Sequence, residues 1–300
     1  MYTQLVDGRR DLQQKSSMKN PFVIQGATRK RPAQAFKSSE DLAEKSSTMN
    51  FTVRLRPVVF IGILLVVWHI AVAYQKVHLL PTPLAVARGI VELAQRGLLL
   101  KYVVASLFRV TWGFTGAAIL AIPFGLALGW NRRSEIALNP LIQILRPISP
   151  LAWIPMSILW FGVGDMAAIF LIFLASFLPL TVTAVNAVAG IPAVHINAGR
   201  NFGLSPSQLV YRVLCPAVVP QLIIGLRITL GIAWLVVVAA EMIAVNSGLG
   251  FLIVDARNAG NRYDLVVAGM VMIGSIGFLL DIGIRSLEKS KPLRWGYSEE

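Results

Sequence analysis

The chain has 300 residues, of which 55% are apolar and only 14% charged, a balance outside the usage of soluble domains that marks an integral membrane protein. Its net charge of +13 is spread along the sequence, which fits a topology signal better than a nucleic-acid surface. One cysteine, Cys215, and three scattered histidines, His69, His78 and His195, exclude a disulfide framework and offer no pair of metal ligands at helical spacing. Residues 1–54 are rich in Ser, Gln, Lys and Arg, with basic clusters at Arg9-Arg10 and Arg29-Lys30-Arg31 and no apolar run. They are expected to form a disordered basic cytoplasmic tail, which either helps hold the N-terminus inside or serves as a regulatory or lipid-binding arm.

Six apolar segments follow, at roughly 57–74, 109–130, 139–161, 166–188, 216–240 and 264–286, each near the ~20 residues that cross a bilayer core. Continuous apolar runs, rather than alternation, predict helices whose backbone groups pair internally, hence an all-α fold. Between the first two segments, Leu80-Pro81-Thr82-Pro83 is a helix-start pattern, and an interfacial amphipathic helix is expected after it. Gly113, Gly116, Gly125 and Gly129 crowd the second segment and Gly269, Gly274, Gly277 and Gly283 the sixth, mostly as close-packing positions.

The third segment is interrupted by Pro140, Pro147, Pro150 and Pro155, which free backbone carbonyls at depth. Arg146, Ser149 and Trp153 sit among those breaks. The segment is either a place for a small anion to pass, since donors and positive charge coincide, or a kinked packing helix. The fifth segment carries Arg227, with Glu241 at its far end. At 1.5 Å per residue the two lie ~21 Å apart and cannot pair. With Gly231, Trp234 and Val238 they fall on one helical stripe, which either lines a pathway or staples helices together. Arg146, Trp153, Arg227, Trp234 and Glu241 are therefore the candidate translocation-path residues.

With the N-terminal tail inside, 19 of the 28 basic residues fall on the cytoplasmic side, and both termini, including a C-terminal tail at 291–300, are expected there. The 74–108 connection, with Lys76, Arg88, Arg96 and Lys101, runs against the rule. The same topology puts 190–215 inside. Within that stretch Gly190-Ile191-Pro192 ends one span and Ala193 to Phe202 can form a short helix. Gly203 permits the positive φ of a helix C-terminus, and Ser205-Pro206 supplies an N-cap and first helical residue. Pro216 and Pro220 are expected to open the fifth span, where missing backbone donors cost least. The result is a rigid bend, read either as an ordinary helical hairpin or as a surface that a partner grips.

The run Asn197-Ala198-Gly199, three residues, Gly203, nine residues, then Val213-Leu214-Cys215-Pro216 resembles the "EAA" signature of the membrane subunits of ATP-binding-cassette importers. That pattern is Glu-Ala-Ala, three residues, Gly, nine residues, Ile, any residue, Leu-Pro. The chain keeps Ala198, Gly203, Val213 in place of Ile, and Pro216, and departs at Asn197, Gly199 and Cys215. Ser106-Leu107-Phe108-Arg109, Leu151 to Pro155, Leu159 to Gly162, Gly225-Leu226-Arg227, Ala240-Glu241-Met242-Ile243 and Ser247-Gly248-Leu249-Gly250 look like the nitrate, sulfonate, taurine and bicarbonate branch of that family.

The resemblance covers roughly residues 55–290. It implies the six-helix type I importer permease fold, with a coupling loop at 190–215 formed by Asn197, Ala198, Gly199, Gly203, Leu204, Val213 and Pro216. It also implies import of nitrate, bicarbonate, cyanate, taurine or an alkanesulfonate across the bacterial inner membrane. The implied partners are a second copy of the chain, two ATPase subunits, an extracytoplasmic substrate-binding protein and membrane lipid, with no nucleic acid. The chain has no Gly-rich phosphate loop ending in Lys-Ser or Lys-Thr, so ATP and Mg are expected in the ATPase and no cofactor or catalysis here. The rival readings are an ion-coupled secondary transporter for a small anion and a membrane-embedded enzyme. The first is disfavoured by the lack of an internal repeat, the second by the lack of a nucleophile beside a base.

Overall fold

The computed structural model describes residues 59–74 and 80–288, and all regular structure among them is helical. The expected tails at 1–54 and 291–300 lie outside the described residues. The chain divides after Ile63 into two units, and residues 59–63 of the first are described only as the opening of helix α1, Val59–Ala73.

The sequence pattern at Leu80 to Pro83 is realised as a helix start. Thr82 caps α2, Pro83–Gln95, by accepting the Ala85 N–H at 3.2 Å, and Pro83 stands where a missing donor is harmless. Val86, Gly89 and Leu93 form the buried face of α2. Arg262 ties α2 to the start of the last helix, Tyr263–Glu288, by donating to Glu92 at 2.7 Å and Asp264 at 2.8 Å. That hydrogen bond and charge hold the Glu92 carboxyl below its ordinary range.

Helix α3 runs 33 residues from Leu98 to Trp130, starting well before the segment expected from 109. Lys101 and Arg109 set that expected start by their charge. Arg109 is buried and paired in the structure, so the helix passes through it. Helix α4, Arg132–Leu145, is capped by the Asn131 side chain at 3.2 Å. A 3-10 turn, Pro150–Trp153, then leads into α5, Ile154–Phe161. The two halves are bent by 79°, so the third segment is a broken span or re-entrant loop rather than one rod. Pro147 and Pro150 explain the break, because neither can donate to the carbonyl four residues back.

Helix α6, Asp165–Ala189, packs along α3. Gly113, Ala117, Ala121, Gly125 and Gly129 recur every four residues on α3 and form the seam. A Cβ on Gly113 would lie 2.7 Å from Ile172 Cβ, one on Gly125 2.6 Å from Ala184 Cβ and the Thr181 carbonyl, and one on Gly129 2.8 Å from Val188 Cβ. In a medium without a hydrophobic drive between helices, such approach lets backbones gain dispersion contacts directly.

After a short helix α7, Ala193–Asn201, comes one continuous helical run, Pro206–Ala244. It comprises α8, Pro206–Leu209, a π turn at Val210–Leu214 and α9, Cys215–Ala244. Pro220 lies inside α9 rather than at its start, and Pro216 stands in the first turn of α9 as the sequence suggested, although the helical run begins earlier, so a turn must pass Pro216. The widened turn accommodates it, with the Cys215 N–H donating to the Val210 carbonyl five residues back. Helix α10, Leu249–Asn258, and α11, Tyr263–Glu288, complete the described chain. Among the described residues, four of the six expected crossings are long apolar helices, α3, α6, the α8–α9 run and α11, the bent pair can make a fifth, and α1 is shorter than a crossing requires.

The α3–α6 seam distinguishes glycines that look alike in sequence. Gly125→Ala should destabilise the protein by about 1–3 kcal/mol through overpacking. Gly116→Ala, whose Cβ would meet only Phe173 at 3.8 Å, should be neutral or slightly stabilising. Thermal unfolding in detergent separates the two; equal losses would show that the seam is not the constraint.

Candidate functional site

The 190–216 bend is fixed by its own hydrogen bonds. Gly203, with φ +74°, follows Phe202 at the end of α7. Its N–H donates to the Arg200 carbonyl at 2.9 Å, and the Leu204 N–H donates to the Gly199 carbonyl at 3.1 Å. Those two bonds are the Schellman closure of a helix C-terminus. Ser205 and Gln208 then form a reciprocal capping box at the start of α8, with Pro206 as first helical residue. Gly199 is buried because Leu209, Leu204 and Val213 crowd it; a Cβ there would sit 2.9 Å from Leu209 Cδ1 and 3.4 Å from the other two.

Of the sequence candidates, Ala198, Gly199, Leu204, Val213 and Pro216 border one cavity of about 690 Å³ between the end of α6, α7 and the start of α9. Asn197 lies exposed on α7, and Gly203 holds the positive-φ turn between α7 and α8. Below the bend, Ala184, Val188, Leu214 and Val218 form a buried cluster that anchors it to α6 and α9.

The sequence reading passed over the residues that present most surface here. Val194 is 71% exposed, Phe202 86% and Tyr211 77%. Large apolar side chains held out from a backbone fixed by its caps can bury area against another surface with little further ordering cost. The sequence carries no signal that sets them apart, since Ile196, Leu204, Leu209 and Val213 are apolar residues of the same stretch.

The intramembrane candidates fall in three places. Arg146 and Trp153 line a cavity of about 510 Å³ formed by the α4–α5 break, Phe173, Phe177 and Leu178 of α6, and Ile232 of α9. Arg227 and Trp234 border a smaller cavity between α9 and α11, where Arg227 pairs with Asp281 at 2.6 and 3.1 Å. The Trp234 indole donates to the Ile273 carbonyl at 3.0 Å, and Gly277 makes room for its ring.

Glu241 lies elsewhere and is 0% exposed. It accepts from Ser106 Oγ at 2.9 Å, Arg109 Nη1 at 2.7 Å and the Gly250 N–H at 2.9 Å. Arg109, 1% exposed, also donates to Asp165 at 2.7 Å, to the Ser247 carbonyl at 2.8 Å and to Ser247 Oγ. The Leu249 N–H donates to Ser106 Oγ at 3.0 Å, so α10 begins on this network. Gly248, with φ +107°, and Gly250 leave no room for a side chain, since a Cβ on the first would overlap the Glu241 carboxylate and on the second the Val238 carbonyl. Arg109 was missed as a partner in the sequence, although Ser106 and Arg109 share a helix face three residues apart.

Residues 121–291 match a family described as "binding-protein-dependent transport system inner membrane component". The chain is 35% identical over 238 residues to the taurine transport system permease protein TauC of Escherichia coli, covering 76% of this chain and 86% of that one. It is 36% identical over 244 residues to the nitrate import permease protein NrtB of Synechocystis, covering 78% and 88%. A solved chain of the MetNI methionine ABC transporter in inward-facing form shares the fold, with a TM-score of 0.58 at 20% identity over 67% of this chain and 97% of that one.

The network yields a graded expectation. Arg109→Ala strands a fully buried carboxylate and should cost about 3–5 kcal/mol. Asp165→Asn removes a partner that is 57% exposed and should cost at most about 1 kcal/mol. Denaturant titration of the detergent-solubilised variants measures both, and equal losses would contradict the assignment of Glu241 as the principal partner.

Proposed function

This chain belongs to the family of binding-protein-dependent transport system inner membrane components, and we propose that it is the translocation subunit of an ATP-driven importer of a small oxyanion or sulfonate. The 190–216 bend docks into a separate ATPase subunit, with Asn197, Ala198, Gly199, Gly203, Leu204, Val213 and Pro216 shaping it and Val194, Phe202 and Tyr211 as its contact surface. The observation that carries this reading is Phe202, 86% exposed on a backbone locked by two caps. An aromatic anchor of that kind supplies binding area without further ordering cost.

In this reading two copies of the chain enclose the path, two ATPases bind ATP and Mg beneath them, and an extracytoplasmic binding protein delivers the solute. The chain itself catalyses nothing. It lies in the cell inner membrane among lipid, with both termini cytoplasmic and nucleic acid playing no part. Arg146, Trp153, Arg227 and Trp234 border the path, and Glu241, held by Arg109, fixes the end of α9 remote from the bend. The names of the relatives support nitrate, taurine and their chemical kin as the solute class. ATPase closure moves the bend, and the transporter switches because the bend makes different contacts in the two states.

Phe202→Ala should weaken ATPase association by about tenfold or more, the scale of an interface anchor. Gly203→Pro removes the N–H bonded to Arg200 and demands negative φ, and should abolish uptake while the chain remains membrane-inserted. Co-purification and uptake in vesicles read the two effects; an Ala or Pro variant that transports normally would refute the docking role.

A further inference from the structure

The cavity of about 690 Å³ behind the bend has an apolar wall, and its polar side chains are His195, Arg212 and Gln221, none of them acidic. Phe202 and Ile224, 86% and 43% exposed, also line it. Residues 190–224 carry His195, Arg200 and Arg212 but no Asp or Glu, so no carboxylate of the bend offsets this charge. Apolar surface around a cavity in the size range of ligand sites, with cations beside it, fits an occupant with large apolar groups and negative charge.

The cavity starts where the apolar length of the spans ends. Its last wall residue on α9 is Ile224, three residues before Arg227, which pairs with Asp281 of α11 at 2.6 Å. From there the wall runs back to Arg212, ~18 Å along the helical run and away from the spans. An acyl chain would have to leave the bilayer to fill it.

α11 brings the end of the sequence to this place. It runs antiparallel to α9, with Trp234 against Ile273 and Gly277, and Arg227 against Asp281. Ile284 and Arg227 border one small cavity, and α11 ends one turn later at Glu288, about level with Ile224. The sequence after it begins with Lys289, Lys291 and Arg294, which suit an anionic cytoplasmic leaflet, and continues with Trp295, Tyr297, Glu299 and Glu300. Two aromatic rings followed by two carboxylates are the complement of an apolar cavity beside arginines. Extended chain carries Trp295 up to roughly 24 Å from Glu288 and Glu300 up to roughly 40 Å, enough to follow the wall from Ile224 to Arg212. The N-terminal clusters Arg9-Arg10 and Arg29-Lys30-Arg31 have the same sign as Arg200 and Arg212 and do not answer them.

We propose that the segment 293–300 seats Trp295 and Tyr297 in the cavity behind the bend, with Glu299 and Glu300 toward Arg200 and Arg212, and so screens Phe202 from a partner. The screening rests on the importer reading and makes the segment a regulator of ATPase docking; the seating does not depend on it.

A chain truncated after Pro292, held in phosphatidylcholine nanodiscs and titrated with a fluorescein-labelled peptide of residues 293–300, reads the seating without an ATPase. Anisotropy should saturate, and Trp295→Ala in the peptide, which requires no change in the chain, should weaken binding tenfold or more. Ala217→Phe, which fills the cavity from its wall, should weaken it comparably. Glu299→Gln and Glu300→Gln should each cost at most about fivefold, an effect lost at high salt. The full chain should bind the peptide at least tenfold more weakly than the truncated one, because its own segment competes at the roughly millimolar effective concentration of a short tether. Equal binding by full and truncated chains, or binding indifferent to Trp295→Ala, overturns the proposal. So does a phospholipid retained in native mass spectra that Ala217→Phe removes and the peptide does not displace, which would assign the cavity to lipid. The truncated chain should also capture the ATPase subunit of the same transporter more tightly, by a factor similar to that for the peptide. Equal capture refutes the screening. Peptide binding by a chain that captures no ATPase in either form supports the seating and refutes the importer reading instead.

Discussion

A buried arginine cannot be left unpaired, and that constraint organises one end of this molecule. Arg109 and Glu241, 1% and 0% exposed, bring together α3, α9 and the start of α10. The attraction between them offsets desolvation only because every remaining site is used: Asp165, Ser106, Ser247 and the Gly250 N–H complete the shell. Removing Arg109 would strand the buried Glu241 carboxylate, whereas without Glu241 the guanidinium would keep only Asp165 as an ionic partner. The pair therefore specifies which helices meet more than it adds net stability, and it explains why Gly248 and Gly250 border Glu241, where no Cβ fits.

The same helix that ends on this pair begins in the bend. Pro206–Ala244 is one helical run of 39 residues, roughly 58 Å long at the rise of an α-helix. The π turn at Val210–Leu214 lets it pass Pro216 without breaking. In the proposed coupling, displacement of the bend would travel along this single element, past Arg227 and Ile232, toward Glu241, and a break at Pro216 would dissipate it. The local caps matter for the same reason, since a partner pushing on a flexible loop would move only the loop.

The bend was legible in the sequence because its determinants are local. Gly203 needs positive φ, Ser205-Pro206 with Gln208 three residues after Ser205 is a capping signature, and each acts within one turn. α2 was legible for the same reason at Thr82-Pro83. The extent of α3 was not, because Arg109 reads as a boundary until its partner, 132 residues away, is known. Arg227 and Asp281, 54 residues apart, pose the same problem. Nor does composition tell which glycines pack tightly: a Cβ on Gly113, Gly125 or Gly129 would collide with α6, while one on Gly116 would make only ordinary contact with Phe173 of the same helix, a distinction of helical phase and partner geometry. The proline run correctly signalled a broken third segment, but its 79° bend and the cavity it opens depend on how α6 and α9 pack around it.

The central claim is that the bend is a lever moved by nucleotide binding elsewhere. Its most direct test is pulsed electron resonance on the assembled transporter, with Cys215→Ser removing the native thiol and a spin label at Val194→Cys on each of two copies. The distance distribution should shift when ATP replaces the nucleotide-free state and return after hydrolysis. A distribution that stays the same through the cycle, in a preparation that still takes up solute, would contradict the claim.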